Sequence, residues 1–79
     1  MNVHVKLLGT LPADYAGPST PAGIRVDLPA GACLADLVDH LGISRERVGI
    51  ATVNGTLAKA RDVIPAQAEV KLMQKIAGG

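Results

Sequence analysis

Few residues of this 79-residue chain could do chemistry, and the two that stand out are the last, Gly78 and Gly79. Read as the end of a chain, Gly-Gly presents a main-chain carboxylate with no side chain beside it. Glycine has no Cβ, so two in a row take almost any φ/ψ and can lie flat in a tunnel too narrow for other residues. Chain ends are loosely held unless tied down, so this one could thread into the active site of another protein. The chemistry on offer is acyl chemistry: a carboxylate becomes an electrophile once an oxygen is made a good leaving group. The plainer alternative is that two glycines simply fray.

The other reactive groups do not assemble into a site. Cys33 is the single cysteine. A helix start acidifies a thiol, but a free cysteine more often serves as a small buried hydrophobe, and that is its expected role. His4 and His40 lie far apart and share no ligand-like spacing with Cys33, whereas zinc wants four clustered ligands. Asp36 and Asp39 have no partner acid at a defined spacing. The sequence therefore predicts no catalytic residue, no metal site and no bound cofactor.

The body that carries this terminus is a single domain over residues 1–79, with 75–79 expected to form a flexible tail. Its only aromatic residue is Tyr15, so the core must be built from Val, Leu, Ile and Ala. Formal charge is +1 with both signs interspersed, which excludes the basic stripe of a nucleic-acid binder. No run approaches the roughly 20 apolar residues of a membrane span. One cysteine permits no internal disulfide, and with no export signal ahead of the first strand a cytoplasmic location is expected.

Periodicity sets the elements. Val3, Val5 and Leu7 alternate with polar residues, as do Ile24, Val26 and Leu28, giving two half-buried strands. Between them, residues 9–23 hold three prolines and three glycines and predict a long loop without a regular element. Leu34, Leu37, Val38 and Leu41 form one apolar stripe at helical spacing, closed by Gly42. Ala32 and Cys33 stand where a capping Ser, Thr, Asp or Asn belongs, so the helix start is expected to be weak. Ser44–Arg47 reads as a turn or short helical piece and Val48–Val53 as a third strand. Asn54-Gly55 marks a tight turn, with a short fourth strand around 57–59. Residues 62–66 form an irregular crossing anchored by Val63 and Ile64. The last strand, 69–73, turns Val70 and Leu72 inward and Lys71 and Met73 outward. The order is β-β-α-β-β-β, an α+β layout with one helix across a mixed sheet of four to five strands.

Four pieces in this order carry a family pattern: 29–37 (Pro-Ala-Gly-Ala-Cys-Leu-Ala-Asp-Leu), Leu41-Gly42-Ile43, Thr52-Val53-Asn54-Gly55 and Ile76-Ala77-Gly78-Gly79. Together they resemble the ThiS/MoaD family of sulfur carriers, with a ubiquitin-like β-grasp fold, over all but the 9–23 loop. The chain departs from the family at Cys33, commonly Thr, near Gln67-Ala68, commonly a Gly-Asp turn, and near Met73-Gln74, commonly an aromatic-proline pair.

The resemblance implies a carrier and not an enzyme. An E1-like adenylating enzyme of the MoeB/ThiF type would spend ATP to adenylate the Gly79 carboxylate. Sulfur from a protein persulfide would then displace AMP and leave a thiocarboxylate, whose soft, ionised sulfur follows the logic of thiolates. The recipient would be a sulfur-acceptor synthase subunit making molybdopterin, favoured slightly by length and the long first loop, or the thiazole of thiamine. Gly78 and Gly79 are then the sulfur-accepting terminus, and Ile76 and Ala77 align it in the partner. Met73 is a candidate docking contact, flanked by Lys71 and Lys75, which could steer an acidic surface. The alternatives are a ubiquitin-like modifier joined through Gly79 to lysines of other proteins, and a TGS-like binding module.

Overall fold

The computed structural model describes residues 1–17, 20 and 22–76. The first alternating run becomes strand β1, Asn2–Leu8, with Val3 and Val5 buried. It pairs antiparallel with β2, Ile24–Asp27, setting Val3 against Val26 and Val5 against Ile24. The 9–23 stretch is not wholly irregular, because a 3-10 turn forms at Leu11–Asp14. Pro12 sits in the first turn, where a missing N–H costs nothing. Leu11 drops fully into the core, and Tyr15 packs against that core from the same segment. An apolar residue with a place to go overrides the local proline and glycine content.

Helix α1 spans Leu34–His40 and buries the predicted stripe of Leu34, Leu37, Val38 and Leu41. Its end is a Schellman stop: Gly42 has φ +74° and donates to the Asp39 carbonyl (3.0 Å), while Ile43 donates to that of Val38 (3.3 Å). Its start corrects the expectation of weakness. The Asp36 carboxylate reaches back to accept the Cys33 N–H at 3.0 Å, the reciprocal half of a capping box. Leu34 and Ala35 donate to the carbonyls of Asp62 (3.0 Å) and Ala60 (2.8 Å). The first-turn donors, which every helix leaves open, are thus met by another segment's backbone.

That crossing segment has one buried anchor and not two. Ile64 is buried, while Val63 is 64% exposed. Val63 bridges Cys33 as a one-residue strand pair, which turns neighbours to opposite faces. A second 3-10 turn, Arg45–Arg47, leads into β3, Val48–Val53. The Asn54-Gly55 turn (φ +51° and +84°) lets pairing resume at once, so β4 is Thr56–Leu57, slightly earlier than expected.

The last strand, β5, spans Glu69–Gln74 and lies at the centre of a five-stranded sheet of order β2-β1-β5-β3-β4. It runs parallel to β1 and antiparallel to β3, so the sheet is mixed. Val70 and Leu72 point into the core beneath α1. This is the β-grasp arrangement the resemblance implies. Among the described residues, no helix is long and apolar enough to cross a membrane.

Candidate functional site

Helix α1 packs on one face of the sheet and leaves the other open. Side chains alternate along a strand, so the burial pattern assigns His4, Lys6 and Leu8 of β1 to the outer face. Glu69, Lys71 and Met73 of β5 join them, with Ile50 and Thr52 of β3. Register then sets these residues side by side. Lys6 lies next to Lys71, which lies next to Thr52, and Thr52 is opposite Leu57 of β4. In the following row Leu8, Met73 and Ile50 are neighbours across three strands. Ile50 is 46% and Leu57 74% exposed, so the face combines an apolar band with two adjacent lysines.

At one end of this face the chain leaves the sheet, and several contacts converge there. The Thr10 N–H donates to Gln74 Oε1 (3.1 Å), and the Lys75 N–H donates to the Arg47 carbonyl (3.0 Å). Arg47 is itself paired with Asp14, Nε and a terminal guanidinium nitrogen lying 3.2 and 3.1 Å from Oδ2. Between Val48 and Ile50 the β3–β5 register slips, leaving Gly49 as the extra residue of a bulge. A Cβ placed on Gly49 would sit 2.7 Å from Lys75 Cα and 3.0 Å from the Gln74 carbonyl oxygen, so the two backbones touch. An open groove of about 430 Å³ lies here, lined by Gly49, Ile50, Gln74, Lys75 and Ile76.

Of the residues singled out in the sequence, Lys71 and Met73 fall on the outer face, Met73 half-buried between Leu8 and Ile50. Lys75 and Ile76 line the groove, and Ile76 is 66% exposed. Ala77, Gly78 and Gly79 lie outside the described residues. Sequence reasoning missed Leu8, Ile50 and Leu57. Leu8 was legible, since alternation places it with His4 and Lys6; Ile50 was masked by the bulge just before it.

The titratable groups form separate ion pairs and do not converge on the outer face. Asp39 accepts two hydrogen bonds from Arg45, which hold its carboxyl below the usual carboxylate range. Asp36 is lowered by the Cys33 backbone N–H and then by the Cys33 side chain. Both lie on the helix side of the sheet. Cys33 is half-buried at the start of α1, again away from the outer face. Among the described residues, no three of His, Cys, Asp and Glu gather as a metal site would require.

The fold defines a ubiquitin-like β-grasp protein. Its structural neighbours include SAMP1 from Haloferax volcanii, at 20% identity over all of both chains with a TM-score of 0.69. A second structure of that organism's small archaeal modifier protein 1 is 19% identical over 95% of this chain and 98% of that one, TM-score 0.72. A Pyrococcus furiosus protein described as a candidate molybdopterin converting factor subunit 1 is 17% identical over 95% and 98%, TM-score 0.73. At such identities the likeness establishes the fold. No protein-family model matches the chain, and no curated protein matches it in sequence.

Proposed function

We propose that the chain is a sulfur carrier, with Gly79 as the C-terminal residue whose carboxylate is converted to a thiocarboxylate. An E1-like enzyme supplies ATP, the carboxylate attacks its α-phosphorus, and pyrophosphate leaves. The terminal sulfur of a persulfide donor then attacks the acyl carbon and AMP departs, leaving an acyl disulfide; a second thiolate of the partner attacks the donor's sulfur, forms a disulfide with it and releases the thiocarboxylate. The thiocarboxylate passes its sulfur to a precursor held by a synthase subunit. Every step takes place in a partner's pocket, so the carrier contributes presentation and no acid, base or metal.

One observation carries this reading: the central strand β5 ends beside an exposed apolar band, so the chain leaves the sheet from the rim of a docking face. Lys6 and Lys71 support an acidic partner. Like charges placed side by side oppose each other, and an anionic surface laid over them relieves the conflict. The neighbour described as a molybdopterin converting factor supports molybdopterin as the pathway. The modifier neighbours favour a second reading, in which the same adenylate is captured by a lysine of another protein.

Intact-mass measurement decides between them. Protein incubated with an E1-like enzyme, ATP and a sulfur source is expected to gain the mass difference of sulfur over oxygen at Gly79. Sulfur transfer that survives deletion of Gly79 rules the carrier out. A ladder of heavier conjugates in lysates, lost with the same deletion, establishes the modifier.

A further inference from the structure

We infer that the turn after β1, together with Gly49, is a brace that fixes where the chain leaves the sheet, locking the docking face and the root of the tail into one rigid unit. The inference rests on the reading that residues 76–79 enter a partner. It assigns a role to the first part of the 9–23 segment, which the family resemblance leaves out.

The last residues of a strand that leads into an unpaired segment ordinarily fray. Here three contacts oppose that, and a fourth ties two of them together. The Gln74 side chain is held from the β1 side by the Thr10 N–H, with Gly9 lying directly beneath it. The Lys75 N–H is held from the β3 side by the Arg47 carbonyl. Arg47 is in turn steadied by Asp14, the last residue of the 3-10 turn, so the two sides of the brace are joined. Gly49 completes it, because the β3 bulge approaches Lys75 closely enough that no side chain fits between. Gly49 does not need a left-handed backbone; the constraint is space alone. Gln74 and Gly49 are thus positioning residues.

The consequence for transfer is geometric. Four residues past Lys75 reach at most about 14 Å when fully extended. A fixed root lets the docking face determine where the acyl end arrives, whereas a frayed root lengthens the tether and dilutes its end. Misplacement on the order of 1 Å is enough to slow a reaction severely.

The test uses the full chain and three substitutions. Gln74→Met keeps length and volume but removes the acceptor for Thr10; Gln74→Glu retains an acceptor; Gly49→Ala forces the Lys75 backbone away. Amide hydrogen exchange is expected to quicken about tenfold at Thr10 and Lys75 in Gln74→Met and at Lys75 in Gly49→Ala. Exchange at Val70 stays near wild type in both, the melting temperature stays near wild type in Gln74→Met and falls in Gly49→Ala, and Gln74→Glu restores protection at Thr10 and Lys75. Charging by an E1-like enzyme should fall in kcat more than it rises in KM, since the docking face is untouched. A Lys75 amide unprotected in the wild type, or indifferent to Gln74→Met and Gly49→Ala, overturns the brace, as does full-rate charging of both variants. If no adenylating enzyme charges even the wild type, the sulfur-carrier reading fails, and the exchange data decide the brace without it.

Discussion

Leu72 and Ile50 are both aliphatic and lie on neighbouring strands, yet they do opposite work. Leu72 is wholly buried at the centre of the sheet, under α1. Truncating it to Ala removes packed methyl groups and leaves a cavity, which costs about 2–5 kcal/mol in urea unfolding. Ile50 is nearly half exposed, so Ile50→Asp removes little from the core. If the outer face docks a partner, that substitution raises the KM for charging about tenfold while the melting temperature barely moves. An unchanged KM would remove Ile50 from the interface. This pair also marks what was readable in the chain. Leu72 follows from strict alternation with Val70. Ile50 does not, because the extra residue Gly49 shifts register, and the reason for that glycine is contact with Lys75, a residue 26 positions later.

At the scale of the element, α1 shows how far local patterns reach. Its apolar stripe and its glycine stop were legible, since both follow from helical period and backbone sterics. Its start was legible only through Asp36, three residues after Cys33; the other groups that satisfy it are the Asp62 and Ala60 carbonyls, which no local motif announces. The 3-10 turn at Leu11–Asp14 escaped for a similar reason: burial of Leu11 decides it, not composition. Two carboxylates give this helix a pH dependence. Arg45 stabilises ionised Asp39, and the Cys33 N–H stabilises ionised Asp36, so both pKa values are lower folded than unfolded. Their contribution is therefore complete above the ordinary carboxylate pKa and is lost as pH falls through the lowered value. The urea midpoint should drop below about pH 4, with a shallower drop in an Asp36→Asn, Asp39→Asn double variant. An identical drop in that variant would place the acid sensitivity elsewhere.

At the scale of the molecule, the sheet is two antiparallel pairs, and among the described strands only β5 pairs with both. The β1–β2 and β3–β4 pairs each have one neighbour in common, and it is the strand made last. A chain ending at Ala68 loses that strand and should lack cooperative unfolding by circular dichroism, because its remaining pairs cannot form one core. A folded 1–68 fragment would show that the helix alone unites the halves. The overall α+β layout was legible because strand and helix periods rarely blur over segments this regular. The central position of β5 came only from the registers, since nothing in residues 69–74 distinguishes a middle strand from an edge. The outer face was legible in part, through Lys71 and Met73, because it needed neighbours from β1 and β3 to become a surface.

Placing the final strand in the middle also orders events in the life of the protein. Until residues 69–74 have left the ribosome, neither antiparallel pair has the neighbouring strand it joins in the finished sheet. A chain interrupted before residue 69 therefore has neither the row of Leu8, Met73 and Ile50 on its outer face nor the strand that closes its core.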